Sequence, residues 1–165
     1  MRLYKLICHI MCFFKKIMYY IVYGKQIKIG KNVTWRKRFN LVIDKDAMVV
    51  IGDNCFFNND CSINAIKKIV IGNGCLMGEN VKIYDHNHRF RDRYTPIKEQ
   101  GFSVSEVKIG NHCWIGSNVV ILKGAQIGDN CVIGAGVVVA GVIKSNSILK
   151  NVFNVIERTE VECRN

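Results

Sequence analysis

Hydrophobic positions recur every six residues through much of the second half of the chain. The segment 107–139 reads VKIGNHCWIGSNVVILKGAQIGDNCVIGAGVVV, and an aliphatic residue opens each of five successive hexads. These openings are Ile109, Ile115, Ile121, Ile127 and Ile133, and glycine follows all of them except Ile121. A period of six fits neither a helix nor a simple alternating strand, but it suits a coil of very short strands joined by turns.

Earlier segments repeat the same pattern: IKIGKNVTW at 27–35, VVIGDNCFF at 49–57 and IVIGNGCLMGENVKI at 69–83. In such a coil the aliphatic residue points into a narrow core, and the next position needs either little volume or the unusual backbone angle that glycine permits. Asn and Asp fill the turns, and stacked coils bury one another's apolar faces. The pattern therefore predicts an all-β stack of coils, because an antiparallel β-sandwich would not explain five hexads in register.

The first 24 residues, MRLYKLICHIMCFFKKIMYYIVYG, have helical periodicity instead. Apolar residues recur at spacings of three and four, which predicts an amphipathic helix with one apolar stripe: Leu3, Ile7, Ile10, Phe14, Ile17 and Ile21. The uninterrupted apolar runs are far shorter than the roughly 20 residues of a membrane span, and no signal-peptide cleavage site follows. The helix either lies on an anionic membrane surface or packs on the domain or a neighbouring subunit, and the two arrangements can coexist.

Charge divides the chain unevenly. Residues 1–43 contain ten Lys and Arg and no acidic residue, whereas the remainder contains fourteen basic and thirteen acidic residues. We predict a helical segment at 1–24 that the core can lose without unfolding, a β-helix domain at 25–157 with a loop at 84–106, and a tail at 158–165. Because the basic residues lie mostly on an apolar helix and its flank, the charge does not indicate nucleic-acid binding.

Eight cysteines raise the question of disulfides. No pair has CxxC spacing, no secretory signal is present, and several cysteines stand within aliphatic runs such as NCVIGAG. We therefore predict small buried thiols in a reducing compartment. The expected location is the cytoplasm, with a peripheral position at the inner face of the membrane if the helix binds lipid.

The stretch IGNHCWIGSNVVILKGAQIGDNCVIGAGVVV resembles the hexapeptide-repeat acyltransferases, whose fold is a left-handed parallel β-helix. The resemblance covers about residues 27–157 and is nearest to galactoside and maltose acetyltransferases and to the O-acetyltransferases of capsule, O-antigen and colanic acid synthesis. It implies a homotrimer with active sites between neighbouring β-helices, acetyl-CoA as the acyl donor, and no metal requirement.

The repeat fails between Ile83 and Val107, where YDHNHRFRDRYTPIKEQGFSVSE leaves the coil. A loop of that length is usually functional or disordered. Its Asp85-His86-Asn87-His88 is similar to a DHxH-like motif of the family, which implies that His86 is the catalytic base. An imidazole can take the proton of an attacking hydroxyl, and His88 is the alternative base. Asp85 is a possible support, but in a regular strand it would point away from His86, so a carbonyl or another carboxylate could orient the ring equally well.

The resemblance assigns further residues to binding. Asn59 matches an asparagine that faces the acceptor, with Asn58 as its rival. The backbone N–H of Ser117, after Gly116, matches a donor at the thioester or pantetheine, and Ala135 matches a backbone contact to the pantetheine arm. A backbone donor aimed at a developing oxyanion stabilises the transition state.

The C-terminal end departs from the family pattern. Ala140-Gly141 replaces a common Thr-Lys, and Val152 stands at the place of a turn proline. Since Asn154 and Glu157 occupy positions where basic residues often contact the coenzyme phosphates, we expect substitutes among three other basic residues. These candidate cofactor-binding residues are Lys144, Lys150 and Arg158.

Taken with the resemblance, these residues predict an acetyl-CoA-dependent O-acetyltransferase that modifies a saccharide hydroxyl in surface polysaccharide biosynthesis. N-acetylation of an amino-sugar nucleotide is the nearest alternative, followed by a non-catalytic β-helix. A γ-type carbonic anhydrase would need three histidines on one metal. The spacing of His86, His88 and His112 does not match that ligand pattern, and His9 and His112 are expected to be structural or incidental.

Overall fold

The computed structural model of the protein describes the backbone of residues 2–151 and the side chains of residues 9–151. Helix α1 (Arg2–Tyr23) comes first, and two 3-10 turns lie at Gly24–Gln26 and Ile97–Glu99. The strands are β1 (Ile27–Ile29), β2 (Thr34–Trp35), β3 (Asn40–Ile43), β4 (Met48–Ile51), β5 (Phe56–Phe57), β6 (Ser62–Ala65), β7 (Lys68–Ile71), β8 (Leu76–Met77), β9 (Lys82–Tyr84), β10 (His86–His88), β11 (Phe102–Val104), β12 (Val107–Ile109), β13 (Trp114–Ile115), β14 (Val120–Ile121), β15 (Gln126–Ile127), β16 (Val132–Ile133), β17 (Val138–Val139), β18 (Val142–Ile143) and β19 (Ile148–Leu149).

Three parallel sheets form the sides of a coil. Sheet A has the order β1-β4-β7-β12-β15-β18, sheet B contains β2, β5, β8, β13, β16 and β19, and sheet C contains β3, β6, β9, β14 and β17. The chain passes from A to B to C and then starts the next coil, so neighbours in each sheet are one coil apart in sequence. This arrangement confirms the predicted left-handed parallel β-helix with an N-terminal helix and one extended loop.

Glycine follows the inward aliphatic residue because successive coils approach closely there. A Cβ added to Gly72 would lie 2.7 Å from the carbonyl carbon of Gly110 in the next coil, and real Cβ atoms do not approach that near. The unusual backbone angle belongs instead to the third turn residue, as at Asn54 (φ 57°) and Asn130 (φ 56°). His112 takes the same conformation (φ 56°), which is the structural role expected for it.

Four cysteines stack inside the coil, since the register between neighbouring strands of sheet B places each above the last. Each thiol is buried and donates a hydrogen bond of 3.1 Å to a backbone carbonyl of the next coil. They are Cys55, Cys75, Cys113 and Cys131. With Cys12 and Cys61 they are buried cysteines outside any disulfide of the described residues, as predicted; the side chains of Cys8 and Cys163 lie outside the described residues.

Helix α1 covers the open end of the first coil. Tyr19 and Cys12 are buried, and the Tyr19 ring packs 6.0 Å from Trp35 and 6.4 Å from Phe39 between centroids. Lys15 donates a hydrogen bond to the Phe39 carbonyl. The helix therefore closes an apolar core that would otherwise meet water at its first coil.

Polar side chains of α1 and its flank also satisfy the free edges of the first coil. The Tyr20 hydroxyl accepts from the Ile29 N–H (3.0 Å), and the Tyr23 hydroxyl donates to the Leu41 carbonyl (3.0 Å). Cys12 Sγ accepts from the Trp35 N–H at 3.1 Å. These contacts reach one edge strand of each sheet, so they block pairing of that edge with another chain.

The face of α1 that packs inward is not the predicted apolar stripe. The described members of that stripe, Ile10, Phe14, Ile17 and Ile21, are 42 to 77% exposed, and the side chains of Leu3 and Ile7 lie outside the described residues. Tyrosines occupy the inner face because the Tyr19 ring packs against Trp35 and the Tyr23 hydroxyl donates to the Leu41 carbonyl. No helix in the described part of the chain is long and apolar enough to cross a membrane.

This packing changes the expectation that residues 1–24 are dispensable. Tyr19→Ala should lower the free energy of unfolding by about 3 kcal/mol, because it leaves a cavity against Trp35 and Phe39. Ile21→Ala is the matched control: it removes an outward side chain of the same helix and should change stability by less than about 0.5 kcal/mol. Thermal or chemical denaturation measures both, and a larger effect at Ile21 would show that the other face packs inward.

Candidate active site

The interruption of the repeat is a β-hairpin that leaves the coil at the edge between sheets C and A. Strand β9 ends at Tyr84, and β10 then pairs antiparallel with β11, with His86 opposite Val104 and His88 opposite Phe102. The chain rejoins sheet A at β12. Both histidines of the motif therefore lie on the outgoing strand of the hairpin.

Asp85 fixes the root of this hairpin to the coil below. Its side chain is buried, and its carboxylate accepts three backbone N–H groups in the turn between β6 and β7. The distances are 2.9 Å from Ile66 and 2.7 Å from each of Lys67 and Lys68. The Ser105 N–H donates to the Asp85 carbonyl at 2.8 Å, so the incoming strand is held at the same point.

The same carboxylate also orients the imidazole of His86. The His86 Nδ1 to Asp85 Oδ1 distance is 3.0 Å. Because an ionised carboxylate only accepts, the neutral ring in this contact carries its proton on Nδ1 and its lone pair on Nε2. The expectation that Asp85 points away from its neighbour is wrong, since Asp85 occupies a bend between β9 and β10 rather than a strand position.

The surroundings of the two histidines differ. The His86 side chain is 18% exposed and meets the edges of the rings of Tyr84 (6.1 Å) and Phe102 (5.2 Å). His88 is exposed, and its ring lies 4.5 Å from that of Phe102 between centroids. Within residues 9–151 no carboxylate contacts His88, so the geometry of an oriented base belongs to His86.

A second group of candidate residues lies at the edge between sheets B and C, here called the BC edge. Asn59 Nδ2 donates to Glu79 Oε1 at 3.0 Å, and the Glu79 N–H donates to Ser117 Oγ at 3.2 Å. A Cβ on Gly116 would lie 2.6 Å from the Ala135 nitrogen in the next coil. The turns of successive coils thus form one column at this edge. It contains four predicted residues: Asn59, Gly116, Ser117 and Ala135.

The Ser117 N–H is a donor without an acceptor at this edge. At the edge between sheets A and B, the corresponding N–H groups bond a side-chain oxygen of the next coil, as from Asn73 to Asn111 (2.9 Å) and from Asn111 to Asp129 (2.6 Å). The next coil offers Ser117 only Ala135, which has no side-chain oxygen. Within the described residues nothing accepts from this N–H, which leaves it free for a carbonyl oxygen.

The predicted phosphate-binding residues do not lie at one edge of the coil. Lys150 belongs to the BC edge, because a Cβ on Gly134 would lie 3.4 Å from the Lys150 Cα. Lys144 lies instead at the edge between sheets A and B, where its carbonyl accepts from Cys131 Sγ. Arg158 lies outside the described residues.

Sequence reasoning missed two polar residues near these edges. Glu79 joins Asn59 to Ser117, and its place in the turn GEN between the two predicted residues was the available signal. Asn64 pairs with Tyr84 in sheet C, and its buried Oδ1 has no hydrogen-bond partner among the described residues. Its outward position on the coil below His86 follows only once the register is known.

The hairpin also borders a basic cavity of about 810 Å³. Arg89, Arg91 and Lys123 contribute to its lining together with His88, whereas His86 does not. The cavity therefore stands apart from the oriented imidazole. Among the described residues no cluster of three or more His, Cys, Asp or Glu is arranged to hold a metal ion.

Comparison with known proteins agrees with this architecture. The family described as "Bacterial transferase hexapeptide (six repeats)" matches residues 106–141. A putative lipopolysaccharide biosynthesis O-acetyl transferase of Escherichia coli is 30% identical over 140 residues, which cover 81% of this chain and 71% of that protein.

The chain belongs to the bacterial hexapeptide-repeat transferase family.

Other family members match over different shares of their length. A probable acetyltransferase of Mycobacterium tuberculosis is 37% identical over 123 residues, 74% of this chain but only 41% of that protein. Among solved structures, a maltose O-acetyltransferase of Clostridium difficile has a TM-score of 0.66 and 33% identity, covering 86% of this chain and 74% of that one. A galactoside acetyltransferase in complex with coenzyme A has a TM-score of 0.61 and 30% identity, covering 73% and 58%.

The contact between Asp85 and His86 can be tested by replacing Asp85. Asp85→Asn keeps the shape of the side chain but replaces one acceptor oxygen with a donor, so it should misorient the imidazole and leave a backbone N–H unpaired. We expect kcat to fall by about 10²-fold or more and the free energy of unfolding by about 1–3 kcal/mol, with little change in the KM for acetyl-CoA.

Asp92→Asn is the matched control, because Asp92 caps the exposed loop through the Tyr94 N–H and the Thr95 hydroxyl and touches neither histidine. It should leave kcat nearly unchanged. Steady-state kinetics and a denaturation curve are needed for each variant. An Asp85→Asn protein with lowered stability but normal kcat would limit Asp85 to a structural role.

Proposed function

We propose that the protein transfers the acetyl group of acetyl-CoA to a hydroxyl of a saccharide. The observation that carries this proposal is the His86 imidazole, whose Nδ1 lies 3.0 Å from a buried carboxylate where the repeat described above opens into a hairpin. The activities named for the relatives support the reaction class, and the complex of the galactoside acetyltransferase supports coenzyme A as the carrier.

In this reaction the acceptor hydroxyl attacks the thioester carbonyl while Nε2 of His86 takes its proton. The carbonyl oxygen becomes negative in the tetrahedral intermediate, and the Ser117 N–H stabilises it. Collapse of the intermediate breaks the carbon–sulfur bond, and His86 returns the proton to the thiolate. The products are the acetyl ester and free coenzyme A, while Asp85 stabilises the transient imidazolium.

Within one chain, His86 and the Ser117 N–H lie too far apart to act on the same thioester. From the turn that holds Ser117 to the edge that holds the hairpin, the chain crosses sheet C over four to five residues, which is about 15 Å. Reacting groups must approach to roughly 3–3.5 Å. We therefore propose a homotrimer in which His86 of one copy faces the BC edge of the next, since closed cyclic symmetry creates equal interfaces.

We assign acceptor binding to Asn59, whose amide lies on the BC edge and is linked through Glu79 to Ser117. The coenzyme would lie against Gly116 and Ala135, where small residues leave room, with Lys150 further along the same edge for its phosphates. The names of the relatives, lipopolysaccharide biosynthesis and galactoside or maltose acetylation, support a saccharide acceptor and a role in surface polysaccharide biosynthesis.

His86→Ala should lower kcat by about 10²–10⁴-fold, because it removes the base while sparing the donor edge. Coenzyme A affinity should change little. The assay follows free thiol release with acetyl-CoA and a panel of neutral and amino sugars, and ester formation would distinguish O- from N-acetylation.

His88→Ala serves as the control, since it removes an exposed imidazole two residues away that has no oriented hydrogen bond. It should cost much less than His86→Ala. The reverse order of the two variants would transfer the catalytic role to His88, and wild-type rates for both would exclude histidine catalysis on that acceptor.

A further inference from the structure

Helix α1 presents an uninterrupted apolar face on the side away from the β-helix. Phe14 is 65% and Ile21 77% exposed, and their exposed apolar neighbours on the helix complete the surface: Ile10, Met11, Phe13, Ile17, Met18 and Val22. Exposed apolar patches of this kind mark sites of protein or membrane contact. Helix α1 caps the first coil with its opposite face, so packing within the fold does not account for the apolar residues on the outward face.

The sequence that forms this face and its flank is basic. Residues 1–43 carry ten basic and no acidic residues, and Lys25, Lys28 and Lys31 are exposed just after the helix. Lys15 and Lys16 are half-buried and turn toward the coil, where Lys16 lies 5.8 Å from the Trp35 ring. The outward surface is therefore an apolar strip beside a rim of basic residues, and the carboxylate of Asp53 in the next coil lies at this rim, where it accepts from the Lys31 N–H at 2.7 Å.

We propose that this surface docks the protein on an anionic lipid bilayer, with α1 lying in the interface and the basic rim against the headgroups. An apolar face gains free energy by entering the acyl boundary, and nearby Lys and Arg gain from anionic lipids. A second copy of the chain is the weaker candidate, because it would bring a basic rim of the same sign against the first.

The arrangement of copies strengthens the binding. In a closed cyclic oligomer of side-by-side β-helices, every copy presents its first-coil cap at the same end. Several amphipathic helices then meet one membrane surface together, and their combined affinity exceeds that of one helix. The proposal itself does not depend on the chemistry at His86, and it holds whichever acceptor the enzyme uses.

The test compares co-sedimentation of the full-length protein with vesicles of phosphatidylcholine alone and of phosphatidylcholine mixed with phosphatidylglycerol. We expect binding to the anionic vesicles that weakens with salt. Phe14→Glu/Ile17→Glu should reduce the partition coefficient by at least about tenfold, because it places charge in the apolar face. Lys28→Gln/Lys31→Gln should reduce binding to anionic vesicles by a similar factor.

Two control variants match these changes at other places. Val142→Glu/Ile148→Glu replaces two apolar side chains that are 71% and 73% exposed at the far end of the coil, and Lys98→Gln/Lys108→Gln removes two exposed charges elsewhere. Both should bind vesicles like the wild type. Equal losses in a test variant and its control would overturn the proposal, as would absence of wild-type binding to anionic vesicles.

Light scattering tests whether the exposed face of α1 contacts a second copy of the chain instead of lipid. If Phe14→Glu/Ile17→Glu lowers the mass of the assembly, the face is an interface between copies and the lipid proposal fails. If the mass is unchanged while vesicle binding is lost, the proposal stands. Turnover of a water-soluble acceptor should be the same for wild type and variant, so failure of the acetyltransferase assignment would not be mistaken for failure of membrane docking.

Discussion

Successive coils of this protein lie at the hydrogen-bonding spacing of a parallel sheet, and the sequence is constrained at each turn by that spacing. Where one turn rests on the next, a side chain would collide with backbone, so glycine follows the inward isoleucine at Gly72 and Gly116. The same stacking aligns the thiols of Cys55 and Cys75 with carbonyls of the coils above them. It also arranges turn residues in columns, which is how Asn59 and Ser117 come to share an edge although 58 positions separate them in the sequence.

The site uses this regular frame at two points where the pattern is broken. At one edge a hairpin interrupts the coil. There the carboxylate of Asp85 accepts three backbone N–H groups of the coil below. This buried anchor makes His86 part of the rigid coil rather than of the loop. At the BC edge Ala135 has no side-chain oxygen that could accept a hydrogen bond from the turn of the coil before it. The Ser117 N–H is therefore available to a ligand. The proposed acyl transfer requires such rigid placement of a base and of a donor.

Much of this fold follows from the sequence, because a six-residue period and the place of its failure are visible in the printed chain. The histidine at the break could be predicted for the same reason. The bond between Asp85 and His86 could not, since it depends on a bend that the alternation rule for strands does not contain. Nor could the orientation of α1 be predicted, because hydrophobicity alone does not show that Tyr19 packs against Trp35 while Ile21 faces outward. Burial there is decided by partners on the first coil.

The central claim is that the His86 edge of one copy works with the BC edge of another. Mixing two inactive variants tests it most directly: His86→Ala, which lacks the base, and Ala135→Trp, which blocks the donor edge with a bulky side chain at an exposed position. When the two are unfolded together in equal amounts and refolded, random assembly places an intact His86 beside an intact BC edge in about a quarter of the interfaces. The account predicts recovery of about a quarter of the wild-type acetyl-transfer rate in the mixture, with neither variant active alone. A mixture as inactive as its components would contradict a site shared between copies.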